Sequence, residues 1–311
     1  MYSMISSIFF TLIAFAGSGF TGGIDARLVM PRISQSAPTY AESVHVPAAS
    51  ISPQAPLRVS GTVRPSVRAE SALLIHASTG EILYAKDRDT LHPLASLTKL
   101  MTALVAVDCI RDWDSSIVIT SADNVKSGRS YVYSGDRFKL KDLLGMSLVA
   151  SANDATQALA RSCGIERGKF VAAMNEKARS LGLRYTMFSD PTGLDHDNIS
   201  TAAEVAQLLT AALAHPTLRE ELSRKEYRYA TLNDDRRGTA FTTNKLLAQD
   251  VYEILGGKTG YIEESGYNFA TLARGKNGQT FLVVVMGASS EQGRFDEAKV
   301  LLDWAEQAWK Y

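Results

Sequence analysis

The 311-residue sequence has no surplus of either charge: Lys plus Arg and Asp plus Glu number 33 each. No strong one-sign field can therefore gather a polyanion, and nucleic acid is not expected as a partner. Cysteine is scarce, with only Cys109 and Cys163. They are compatible with one disulfide, but a chain this long needs no staple, so two buried free thiols are expected. The five histidines, His45, His76, His92, His196 and His215, form no H-E-x-x-H pattern, and the cysteines stand at no metal-ligand spacing. A zinc peptidase is not expected, and neither a metal nor a cofactor is implied. Beyond the extreme N-terminus no apolar run reaches the roughly 18 residues of a membrane span.

What is present divides the chain in three. Residues 5–20 are apolar and rich in small residues, and Ala14-Phe15-Ala16 offers a cleavage site, although the first basic residue, Arg27, follows the apolar stretch. Residues 1–23 therefore read as a signal peptide or N-terminal anchor. That reading makes the protein exported, periplasmic or otherwise in the cell envelope, with the N-terminus available for peripheral membrane association. Six of nine prolines fall between Pro31 and Pro65, interleaved with Ser and Ala. Residues 24–66 are expected to be an extended linker, and residues 67–311 one catalytic domain, whose core the 45% hydrophobic content can supply.

Folding is expected to begin with a hairpin, Ser71–His76 and Glu81–Ala85 around Ser78-Thr79-Gly80. From Ser96, residues Leu100, Ala103, Leu104 and Val107 recur at helical spacing up to Cys109. Residues 141–149 and 154–160 read as helices separated by Ala150-Ser151-Ala152-Asn153, and 169–182 and 201–214 are also helical. Strands return at 267–274 and 279–287 around Asn277-Gly278, a turn signal in which both central residues need positive φ. A last helix, 295–309, places Val300, Leu301, Trp304, Ala305 and Ala308 on one side, a core face rather than a membrane anchor. The fold class is therefore α+β: an antiparallel sheet made from N- and C-terminal pieces, packed by helices, with an inserted helical subdomain.

The chemistry centres on Ser96-Leu97-Thr98-Lys99. Residues i and i+3 share a helix face, which puts an amine beside a hydroxyl. A hydroxyl becomes a nucleophile when a base takes its proton, and lysine is such a base when burial lowers its pKa; Leu97, Leu100 and Met101 make that burial available. Ser151-Ala152-Asn153 follows 55 residues later and Lys258-Thr259-Gly260 another 107 residues on. S-x-x-K, S-x-N and K-T-G in this order are the signature of penicillin-binding proteins and class A β-lactamases.

With Asp190-Pro191-Thr192-Gly193-Leu194 and Gly257-Lys258-Thr259-Gly260-Tyr261 added, residues 68–310 resemble the low-molecular-mass penicillin-binding proteins of the D-alanyl-D-alanine carboxypeptidase family, and with them a β-lactamase/DD-peptidase-like fold. The resemblance implies acyl transfer on peptidoglycan stem peptides that end in D-Ala-D-Ala or are cross-linked through D-Ala, with β-lactams as covalent inhibitors. It gives Ser96 as nucleophile, Lys99 as general base, Ser151 as proton relay and Asn153 as holder of the substrate amide. Lys258 would keep the site cationic and help depress the Lys99 pKa. Thr259 would bind the substrate carboxylate beside Gly260, and the N–H groups of Ser96 and Tyr261 would form the oxyanion hole. Arg294 falls where the family places a carboxylate-binding arginine.

Two departures bear on the bond cleaved. Thr243 stands where many carboxypeptidases carry a further arginine, and the sequence shows no extra C-terminal β-domain, as in the shorter members. Carboxypeptidase action is expected, with endopeptidase action on cross-links as the alternative. A class A β-lactamase fits less well, because residues 190–200 contain no Glu to activate a deacylating water.

Overall fold

The computed structural model describes residues 56–311 apart from Lys126 and Asp250. The expected signal or anchor over 1–23, and the linker up to residue 55, lie outside the described residues. The last part of that expected linker is folded. Strand β1 (Leu57–Arg58) pairs antiparallel with a C-terminal strand at Trp309–Lys310, and Val59 N–H donates to Ala308 O. Arg64 lies over the Tyr84 ring at 4.5 Å. Proline and serine content gave no sign of this, because the partner strand is some 250 residues away in the chain.

The expected hairpin is β2 (Ser71–His76) and β3 (Ile82–Lys86), followed by the short β4 (His92–Pro93) and helix α1 (Thr98–Cys109). Next come β5 (Ser116–Val118), β6 (Arg137–Lys139), α2 (Leu140–Val149), α3 (Asn153–Arg161), α4 (Arg167–Ser180), β7 (Ile199–Ser200), α5 (Ala202–Ala214) and α6 (Pro216–Ser223). The chain then makes a hairpin, β8 (Glu226–Ala230) and β9 (Arg237–Phe241), and three long strands, β10 (Glu253–Ile262), β11 (Gly266–Arg274) and β12 (Thr280–Ala288). It ends with α7 (Glu291–Ala308) and β13 (Trp309–Lys310).

The five-stranded sheet runs β10-β11-β12-β2-β3, every pair antiparallel. N- and C-terminal pieces thus build one sheet, as expected. Its central strands are buried on both faces, and alternation sorts their side chains between two cores. Leu73, Leu282 and Val284 join the helical block built on α1, while Leu74, Val283 and Val285 pack with Phe295, Leu301 and Trp304 of α7. Helix α1 is buried from Thr98 to Ala106, so the inserted helices wrap around it and hold its N-terminus against the sheet.

Three local expectations need correction. Val300 is exposed, and Phe295, Ala298 and Leu302 complete the inner face of α7 instead. In the β11–β12 turn only Gly278 has positive φ, and Gly278 N–H donates to Gly275 O; this is a type I turn closed by a left-handed glycine rather than the mirror-image turn. The cysteines are not free: Cys109 and Cys163 form a disulfide with Cα atoms 5.6 Å apart. It joins the C-terminal end of α1 to the segment leaving α3, a proximity that exists only once the helices pack.

Closing a loop of 54 residues constrains the unfolded chain by roughly 4 kcal/mol in the chain-entropy account. The double variant Cys109→Ser/Cys163→Ser is expected to lose about 2–4 kcal/mol in urea unfolding. An unchanged midpoint under non-reducing conditions would show that the bridge adds nothing.

Candidate active site

The site lies where the N-terminus of α1, the break between α2 and α3, and the edge strand β10 meet. A single 3-10 turn, Ala95–Leu97, leads into α1, with Ala95 at φ +48°. Ser151, in the α2–α3 break, has φ +59°. Left-handed backbone at a residue with a Cβ costs about 1–3 kcal/mol and persists only where the surroundings enforce it. Both residues adopt it at the centre of the site.

Close approach between the pieces depends on two glycines. A Cβ on Gly260 would lie 2.8 Å from Leu94 O and 3.2 Å from Ser96 N, so only glycine lets β10 come this near the turn carrying Ser96. A Cβ on Gly193, at φ +83°, would lie 1.9 Å from Ala95 O. Asn268 on β11 ties the same turn to the sheet by donating to Pro93 O at 2.8 Å while accepting from Gly287 N–H.

Lys99 Nζ donates to Ser96 Oγ at 2.8 Å, to Asn153 Oδ1 at 2.7 Å and to Thr192 O at 2.6 Å. All three ammonium protons are thus satisfied with no carboxylate in contact. Burial holds the amine down at about 7, against the upward pull of Asp190 and Asp154. Asp190 shapes the loop that supplies the third acceptor, receiving Thr192 N–H at 2.9 Å and Gly193 N–H at 2.9 Å. Asp154 receives Tyr131 N–H and Val132 N–H, and burial raises its carboxyl.

The second lysine, Lys258, is equally buried. Its Nζ donates to Ser151 Oγ at 2.7 Å and to Thr259 O at 2.9 Å. Its pKa is lowered, first by burial and then by Lys99 and Arg294. Burial is the leading cause for both amines, because desolvation disfavours a charged ammonium; the repulsion between the two lysines adds to it on Lys258.

Thr259 is buried, and its hydroxyl lies 2.5 Å from the Thr243 hydroxyl. Tyr261 is half exposed and stacks on Tyr267 with centroids 4.3 Å apart. Arg294 is 4% exposed, so it is not the solvated residue its position at a helix start would suggest. Its Nη1 donates to Gly260 O at 3.1 Å, and the guanidinium lies 4.8 Å over Phe295 and 5.4 Å over Tyr267. Burial lowers its pKa to about 10, so it stays charged at neutral pH.

All nine residues singled out in the sequence fall within this one region. Sequence reading gave Asn153 to the substrate amide and missed its bond to Lys99, and it missed the Thr192 acceptor altogether. The carbonyl of Thr192 has no side-chain signature; the run Asp190–Leu194 marked the loop but not its purpose. Asn268, a poor strand former inside β11, was a signal not used.

A hydroxyl bonded to a buried, titratable lysine, with a second hydroxyl on a second buried lysine, is a machine for moving an acyl group to serine and off again. Fold and site together define a serine acyl-transfer hydrolase. Residues 58–290 match the D-alanyl-D-alanine carboxypeptidase family, and the chain belongs to that family: it is a serine DD-peptidase. It is 30% identical to the D-alanyl-D-alanine endopeptidase of Pseudomonas aeruginosa over 83% of this chain and 84% of that one. The Escherichia coli D-alanyl-D-alanine endopeptidase is 31% identical over 89% and 90%. Carboxypeptidase DacD of Escherichia coli is 34% identical over 78% of this chain and 64% of its own length. Among solved structures, a D-alanyl-D-alanine carboxypeptidase from Mycobacterium tuberculosis superposes with TM-score 0.73 at 29% identity, covering 81% of this chain and 96% of that one.

An amine hydrogen-bonded to Ser96 Oγ can take its proton only when neutral. With its pKa near 7, acylation of Ser96 by a thioester is expected to rise with pH through that value and to fall about tenfold per unit well below it. A flat profile from pH 5 to 8 would show that Lys99 is not the base.

Proposed function

We propose that the protein hydrolyses the peptide bond after the penultimate D-Ala of peptidoglycan stem peptides through a Ser96 acyl-enzyme, and that cross-linked stems are its preferred substrates. The observation that carries the chemistry is the 2.8 Å hydrogen bond between Ser96 Oγ and a fully buried Lys99.

In this reading Ser96 Oγ attacks the D-Ala carbonyl carbon while Lys99 takes its proton. The tetrahedral oxyanion faces the N–H groups of Ser96 and Tyr261, an arrangement that typically contributes several kcal/mol to catalysis. The C–N bond then breaks as the Ser151 hydroxyl, held by Lys258, passes a proton to the departing amine and takes up in turn the proton that Lys99 removed from Ser96, which leaves Lys99 neutral again. Lys99 then takes a proton from water as the water attacks the acyl carbonyl, and returns it to Ser96 Oγ as the ester bond breaks. Asn153 and the free edge of β10 hold the substrate backbone, because an edge strand offers unpaired N–H and C=O groups to an extended peptide. β-Lactams acylate the same serine. Peptidoglycan is a polymer of the cell envelope, so this reading fits an exported protein with residues 1–23 as signal or anchor.

The preference for cross-links rests on Thr243. Its neutral hydroxyl engages Thr259 where an arginine would give a terminal carboxylate a charged partner. Arg294 and Lys258 remain nearby, but each already donates to protein oxygens. Carboxypeptidase action is the second reading, supported by the similarity to DacD.

Offered both a pentapeptide monomer and a cross-linked muropeptide dimer, the purified protein is expected to convert dimers to monomers faster than it releases terminal D-Ala, as followed by product masses; D-Ala release alone would refute the preference. Ser96→Ala is expected to abolish both activities. Thr243→Arg is expected to shift the ratio of the two rates toward D-Ala release by about tenfold, the scale of one charge-assisted bond, and an unchanged ratio would remove Thr243 from the account.

A further inference from the structure

A second concave site lies away from Ser96. It is a pocket of about 760 Å³ between α2, α6 and β8, walled by Trp113 and Tyr227. Tyr227 is fixed: its hydroxyl donates to Asp142 at 2.9 Å, and its ring lies where any side chain on Gly145 would stand, 2.3 Å from a built Cβ. A glycine inside a helix costs about 0.5–1 kcal/mol relative to alanine, and here it seats an aromatic wall.

The charged lining is balanced. Lys141, Arg224 and Arg228 face Glu220, Glu221 and Glu226, so neither an anion nor a cation is favoured. Glu221 Oε2 and Arg224 Nε form a buried ion pair 3.1 Å apart, and Arg228 pairs with Glu226 at 2.9 Å. With the charges paired among themselves beside two aromatic walls, the lining suits a neutral ligand carrying both donors and acceptors. Burial also raises the Glu221 carboxyl to about 7, so near neutrality it can donate as well as accept.

We propose that this pocket binds the glycan strand of peptidoglycan, taking a neutral, hydroxyl-rich N-acetylated sugar against Trp113 and Tyr227, with its hydroxyls on Glu221 and Arg224. The proposal rests on the DD-peptidase reading for the identity of the polymer. Spacing supports it. Helix α2 runs from the pocket at Lys141 to Val149, two residues before Ser151, a rise of about 12 Å. Three or four extended residues span about 10–14 Å, so a stem peptide hanging from a sugar in the pocket reaches the Ser151 end of the cleft.

Calorimetric titration of the full chain with chitotetraose, an uncharged N-acetylglucosamine tetramer, is expected to show saturable binding that weakens about tenfold in Trp113→Ala and in Glu221→Gln, one lost contact of roughly 1.4 kcal/mol each. In the same variants KM for a glycan-linked dimer is expected to rise several-fold with kcat unchanged, while a sugar-free cross-linked peptide shows no change in either. Circular dichroism melting and the Ser96 acylation rate report folding; if Trp113→Ala fails to fold, Glu221→Gln and Arg224→Gln carry the test. No saturable heat in the wild type, or equal binding by wild type and variants, overturns the proposal. Ser96→Ala keeps the pocket intact and is expected to bind the sugar normally. Sugar binding by a wild type without peptidase activity would leave the pocket standing and remove the proposed function.

Discussion

Everything at the site depends on keeping the Lys99 amine out of water. A lysine in solvent is protonated at neutral pH and cannot serve as a base. Burial removes that obstacle at the cost of desolvating an amine, and three acceptors from three segments offset the cost: Ser96 Oγ, Asn153 Oδ1 and Thr192 O. The structure around Lys99 can be understood as the means of delivering these oxygens. The turn into α1 carries the serine and α1 itself the amine, the start of α3 brings Asn153, and the loop shaped by Asp190 turns one carbonyl inward. The pull of Asp190 and Asp154 keeps the amine from losing its proton altogether, which leaves it near 7 and able to accept and return a proton in one cycle.

The sheet contributes position. Its central strands are sealed on both faces, yet β10 lies at the edge with one side free. Gly260 lets that edge approach the Ser96 turn, and Arg294 grips the Gly260 carbonyl from α7. The buried sheet thus positions β10 at one side of the site, while Ser96 comes from the helical block. Neither half holds a complete site alone.

Much of this was legible in the sequence because it is local. The hairpin at 71–86 and the helices around residues 141–160 show through spacing and residue type, and the nine site residues through the motifs that carry the family resemblance. What was hidden depends on distant contacts. Residues 57–66 looked like linker because their partner strand closes the chain. Cys109 and Cys163 looked independent because only packed helices bring them together. The β8–β9 hairpin and α6 were not anticipated, although Pro216 at the first helical position and Leu218 and Leu222 four residues apart were available signals. Backbone groups were the least visible, since no residue type announces that the Thr192 carbonyl will face an ammonium.

The disulfide takes on meaning from the same geometry. Helix α1 begins at the site with Lys99 and ends ten residues later at Cys109; α3 begins with Asn153 and leads to Cys163. Ten helical residues rise about 15 Å, so the two helices are joined at the site by the Lys99–Asn153 hydrogen bond and at their outer ends by a covalent bond. The two helices also pack on one another through buried residues of the same core, among them Leu100, Ala103, Ala155 and Leu159. The bridge, exposed at Cys109 and half-buried at Cys163, therefore constrains covalently the same pair of helices whose first turns set the Lys99–Asn153 distance.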